Sequence, residues 1–97
     1  MRNRYIVSYD IGNDKRLRRV HKTMRGFGDA LQYSVFLCDL SPSERTILLE
    51  KLTPIINHRE DQIMLVNLGP ADGQSGQRIE TIGRGLSPSL ERVAIIV

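Results

Sequence analysis

Between residues 4 and 40 the hydrophobic period changes from two to 3.6 and back to two, which restricts the fold to a sheet with a helix laid across it. Residues 4–11 alternate, with Tyr5, Val7, Tyr9 and Ile11 on one side and Ile6, Ser8 and Asp10 on the other, the pattern of a strand. Gly12 and Asn13 make a turn that tolerates positive φ. Residues 14–26 read as a helix, with acidic Asp14 at the start and Gly26 and Gly28 after the end. Leu17, Val20, Met24 and Phe27 form its apolar stripe. Lys15, Arg18, Lys22 and Arg25 repeat at the same spacing two residues out of phase, about 200° around the axis. One side of this helix packs and the other presents cations.

Residues 30–40 are extended again, with Leu31, Tyr33, Val35 and Leu37 on one face and Gln32, Ser34, Phe36 and Cys38 on the other. They read as one long strand, bent near Tyr33 and Ser34 and serving as two strands; a short hairpin there is the alternative. Ser41-Pro42-Ser43-Glu44 is a capping box with proline at the first helical position. It opens a second helix whose core side includes Leu48, Leu52 and Ile55, and which Pro54 kinks or ends. Residues 62–68, 78–82 and the apolar 92–97 read as further strands, with a flexible loop at 69–77 rich in Gly, Ser and Asp.

The expected architecture is α+β, a single ferredoxin-like β-α-β-β-α-β sandwich over residues 1–97 with an additional C-terminal strand. Both helices cover one face. The other face would carry Ile6, Ser8, Asp10, Ser34 and Phe36, too apolar for solvent and too polar for a core, so a homodimer packed through the sheet face is expected. Ser8, Ser34 and Phe36 are then interface residues, and residues 91–97 form a strand pairing with the partner subunit.

Charge is unevenly spread. Residues 1–28 hold eight cations against Asp10 and Asp14, whereas the remainder is net acidic. Six cations fall within residues 15–25 with no acid among them, which is self-repelling unless an anion is present and points to phosphate backbones. Lys15, Arg16, Arg18, Arg19 and Lys22 are the candidate contacts, with Arg16 and Arg19 best placed to reach toward Asp10. No aromatic residue interleaves with these cations, so backbone and shape recognition is expected rather than base stacking. Asp10, at a strand end just before the cationic helix, can hold a hard metal ion or simply cap the turn. His21 and His58 lack metal-ligand spacing and read as surface or boundary residues. Cys38 is the sole cysteine and reads as a small apolar strand residue in a reducing, intracellular protein without a signal peptide or membrane span.

Tyr5-Ile6-Val7-Ser8-Tyr9-Asp10-Ile11, Lys15-Arg16-Leu17-Arg18-Arg19-Val20 and Gln32-Tyr33-Ser34-Val35-Phe36, in that order, resemble the second CRISPR-associated (Cas-two) family, the small core subunit of CRISPR adaptation. The resemblance implies a symmetric homodimer that binds double-stranded DNA or RNA and bridges CRISPR integrase subunits of the first Cas family in the cytoplasm. It also implies endonuclease activity dependent on Mg²⁺ or Mn²⁺, with Asp10 of each subunit as the catalytic, metal-binding carboxylate. Only Asp10 and Asp14 offer carboxylates at that point, and the 69–77 loop looks longer than the family's usual connection. A stand-alone endoribonuclease toxin of similar fold, acting without an integrase, is the alternative.

Overall fold

The computed structural model describes residues 1–71 and 79–85, together with the backbone of 95–96. β1 (Asn3–Asp10) buries Tyr5, Val7 and Tyr9 on one side and leaves Asp10 exposed at its end. α1 (Asp14–Arg25) follows. Its cap is Asn13, extended at φ −147°, whose Oδ1 accepts from Arg16 N at 3.1 Å. Gly12 and Asn13 have negative φ, so this turn uses none of the left-handed freedom that its sequence offers. Val20 and Met24 are fully buried, and Leu17 and Phe27 pack beside them.

β2 (Asp29–Gln32) and β3 (Val35–Leu40) are separate antiparallel strands joined through Tyr33 and Ser34. The expected bent strand is therefore a tight hairpin. Its pairing slips between Ala30 and Gln32, and its turn residues keep negative φ. The irregularity stands in for the positive-φ turns that hairpins favour, so no Asn-Gly signal marks the reversal. A Cβ at Gly28 would collide with the Leu37 carbonyl and Cys38 Sγ, so glycine alone lets the chain leave α1 this close to β3.

α2 (Pro42–Leu52) opens with the expected capping box. Ser41 Oγ accepts from Glu44 N at 3.1 Å, and Ser41 N donates to Glu44 Oε1 at 2.8 Å. The helix ends before Pro54. β4 (Gln62–Pro70) completes a sheet of order β2-β3-β1-β4 with every neighbour antiparallel. Val20 and Met24 of α1 and Leu48 and Leu52 of α2 share one core with Tyr5, Val7, Tyr9, Phe36, Cys38 and Leu40, so both helices lie on one face. This is the ferredoxin-like sandwich. Burial, followed by the charges of Asp39 and Asp29, pushes the Cys38 thiol up to about 12, leaving it a small apolar core residue.

β5 (Glu80–Thr81) and β6 (Ile95–Ile96) pair in parallel as a separate two-stranded sheet. At Ile95 and Ile96 the tail thus pairs with its own chain; the rest of the 91–97 segment expected to reach a partner lies outside the described residues, as do residues 72–77 of the expected loop. Among the described residues, no helix is long and apolar enough to cross a membrane.

Register decides which residues share each face. Val7 pairs with Phe36 and Leu65, and Tyr5 with Cys38, all beneath the helices. Ile6 pairs with Leu37 and Val66, Ser8 with Val35 and Met64, and Asp10 with Gln62, on the open face. Phe36, expected on the open face as a dimer contact, is instead fully buried in the chain's own core. Both parities of β3 are apolar, and parity relative to β1 is set by pairing, which periodicity cannot reveal. Ser34 sits in the hairpin turn, where its carbonyl accepts from Tyr9 N at 3.1 Å. On the open face, Ile6, Leu31 and Ile79 pack with buried Leu37 and Leu68, so the chain covers part of this surface itself. Met64 and Val66 remain 51% and 42% exposed.

Candidate nucleic-acid interface

The apolar stripe pins α1 to the sheet and turns Lys15, Arg18, Arg19, Lys22 and Arg25 to solvent. None of these five takes part in the ion pairs found among the described residues. Such a row is a ready footprint for a polyanion. Lys22 and Arg25 also suit the negative end of the helix.

Arg16 has a different role. Its Nε donates to Asp61 Oδ2 at 2.7 Å and its Nη2 to Asp61 Oδ1 at 3.2 Å, with Glu60 at 3.8 Å. The Asp61 side chain has no exposed surface, and its carboxylate also accepts from Gly12 N at 2.9 Å and Asn57 N at 2.8 Å. Arg16, expected to clamp phosphate beside Arg19, is therefore committed to fastening α1 and the β1–α1 turn to the segment before β4. Periodicity gave no hint of a partner 45 residues away. Arg16 first, and then the two backbone donors, hold the Asp61 carboxyl well below its ordinary value of 3.8.

A carboxyl lowered in the folded state stabilises the fold fully above its unfolded pKa and loses that contribution as pH falls through the folded value. Glu44, brought down to about 2 by Arg2 and Ser41, acts in the same direction. In urea titrations Asp61→Asn should be clearly less stable than the native chain near neutral pH, and the gap should narrow as pH falls below about 4. A gap of constant size down to about pH 2.5 would remove the assigned role.

Asp10 stands exposed where β1 ends, opposite Gln62. Alternation puts it on the open face with Ser8 and Ile6. At the other end of the same face, buried Arg4 donates to Asp39 at 2.9 and 3.1 Å. No group of three or more His, Cys, Asp or Glu side chains among the described residues could hold a metal ion. Asp10 has the oxygen chemistry that a hard cation prefers, but alone it is too small a donor set. An ion there needs oxygens from water, substrate phosphate or a second copy.

The fold also assembles an aromatic group that the sequence does not advertise. The hydroxyl of buried Tyr9 lies 2.8 Å from His21 Nδ1 and 3.3 Å from the Tyr33 carbonyl oxygen. The His21 ring stacks on Tyr33 at 5.7 Å and meets the Phe36 edge at 5.4 Å, and Tyr9 stacks on Phe36 at 6.2 Å. Burial, and next the neighbouring Tyr33, raise the Tyr9 phenol above its ordinary value. His21 sits half-buried at the boundary, as expected, and ties α1 to both the core and the hairpin turn.

The model of the family described as CRISPR associated protein Cas2 matches residues 2–74. The chain is 41% identical over 96 residues to the CRISPR-associated endoribonuclease Cas2 of Geobacter sulfurreducens, covering 99% of this chain and 100% of that protein. It is 38% identical over 93 residues to the CRISPR-associated endoribonuclease Cas2 1 of Rhodospirillum rubrum, covering 96% of this chain and 89% of that one. Its fold is similar to the crystal structure of Streptococcus pyogenes Cas2, with a TM-score of 0.71 and 35% identity over 82% of this chain and 99% of the other.

Proposed function

The chain belongs to the CRISPR-associated Cas2 family, and from that membership we propose that it is an endonuclease which grips nucleic acid along α1 and directs phosphodiester hydrolysis at Asp10. The observation that carries this reading is the row of five exposed cations on α1, a helix that begins four residues after the exposed Asp10. The two relatives named above are both endoribonucleases, which makes RNA the first substrate to test and duplex DNA the second.

In this reading the working unit is a homodimer packed through the open sheet face around Ser8, Val35, Met64 and Val66. That arrangement brings two Asp10 carboxylates toward one twofold axis. Two such groups, with water and a substrate phosphate, match the ligand set of Mg²⁺ or Mn²⁺. The ion, when bound, supplies charge stabilisation at the scissile phosphoryl group. The chain itself does the rest: α1 draws in and orients the phosphate backbone, β1 fixes Asp10 at the sheet end, and the Arg16–Asp61 pair fixes one relative to the other. In CRISPR adaptation the same dimer would bridge integrase subunits of the first Cas family on captured DNA.

Salt titration of binding tests the grip. With five cations per chain on phosphates, affinity for an RNA or DNA duplex should fall between roughly 50 and 200 mM salt by about two to three orders of magnitude for each chain of the dimer engaged. The double variant Arg18→Ala, Lys22→Ala should flatten the log–log slope by about two per chain. Binding that ignores salt, or a double variant with the native slope, would sink the reading.

A further inference from the structure

Tyr33 is 71% exposed, yet its ring is not loose: one face is stacked on His21 at 5.7 Å, with the planes 21° apart. His21 is held in turn by the Tyr9 hydroxyl at 2.8 Å and by the Phe36 ring. The result is a rigid aromatic shelf that rises from the core and ends in a solvent-facing ring. Its position matters. Arg18 and Arg25 lie three residues before and four residues after His21 on α1, so both neighbour it on the helix surface, and both are exposed. They are about 10.5 Å apart along the axis. A ring with a free face, bracketed by two cations, is the arrangement that accepts a base whose flanking phosphates are held on either side. The helix carries no Phe, Tyr or Trp among its cations; the hairpin turn delivers a tyrosine.

We propose that Tyr33, backed by His21, is a stacking platform for an unpaired base, so that this interface takes single-stranded or locally unpaired nucleic acid in addition to gripping phosphates. The platform rests on the reading of α1 as a nucleic-acid grip, and the two can fail separately. An exposed tyrosine on a hairpin is in itself ordinary. This one is distinguished by its ordered backing and by the cations on both sides.

The test compares the native chain, Tyr33→Leu and Tyr33→Phe on two probes: a single-stranded oligonucleotide with one 2-aminopurine, and a blunt duplex of equal length. Tyr33→Leu should weaken single-strand binding about tenfold at fixed salt, keep duplex binding within about twofold, and leave the salt slope unchanged. Tyr33→Phe retains a ring and should behave as the native chain does. The 2-aminopurine emission should be quenched by the native and Phe proteins and not by the Leu protein. The Tyr33 carbonyl that accepts from Tyr9 survives in every variant, so equal thermal melting confirms that the turn is intact. The platform is overturned if Tyr33→Leu matches the native chain on the single strand, or if it loses both probes equally, which would make Tyr33 only a support for the turn. Failure of the native chain to bind either probe would instead overturn the grip on α1, and the platform with it.

Discussion

Asp10→Asn is expected to lower phosphodiester cleavage by about two orders of magnitude or more while leaving nucleic-acid affinity unchanged or slightly higher. The asymmetry follows from position. Asp10 is exposed at the end of β1 and takes part in no ion pair among the described residues, so exchanging its carboxylate for an amide leaves the core untouched. In chelator, where no ion links carboxylate and phosphate, removing a negative charge near bound phosphate assists binding. The loss falls on the transition state, where a metal-held carboxylate is worth several kcal/mol, and each 1.36 kcal/mol is a factor of ten in rate. Single-turnover cleavage of labelled RNA by both proteins, with and without chelator, reads this directly. Equal cleavage by native and variant chains, or cleavage that persists in chelator, would refute a metal-assisted role for Asp10.

Phe36→Ala is the second large effect, and it acts on stability. Phe36 is fully buried between Tyr9, His21 and the neighbouring strands, so truncation leaves a cavity costing about 3–5 kcal/mol. That is a large share of the stability of a domain this size, so the variant should unfold at much lower urea. The same substitution discriminates between two readings of the residue. Were Phe36 a dimer contact, the variant would dissociate while each chain stayed folded. Urea midpoints together with sedimentation separate these outcomes, and a stably folded, monomeric Phe36→Ala would contradict the core assignment.

The two readings of Phe36 show how far one sequence reaches. Alternation in β1, the stripe of α1 and the capping box of α2 each depend on neighbours within one or two turns of chain, and all three can be seen by inspection. The hairpin at Tyr33 and Ser34 ranks in the sequence only as the alternative to a bent strand, because its turn keeps negative φ and so carries no glycine or asparagine. The face of Phe36 escaped because Val35 and Leu37 are as apolar as Phe36 and Cys38, and only pairing with β1 chooses between them. Within the candidate site, Asp10 and the exposed cations of α1 were legible from charge and spacing. Arg16 was misassigned because its partner is distant in sequence, and the Tyr33 shelf was missed because its ring and the flanking cations come from different elements.

Asp61 leads directly into Gln62, and Gln62 is the residue paired with Asp10. Arg16, on the helix that carries the cations, is anchored to that same Asp61. The cationic helix and Asp10 are therefore both tied to one short segment, Asp61 and Gln62. On the proposed reading, the spacing between a phosphate on α1 and the Asp10 carboxylate is then a ruler written into the fold.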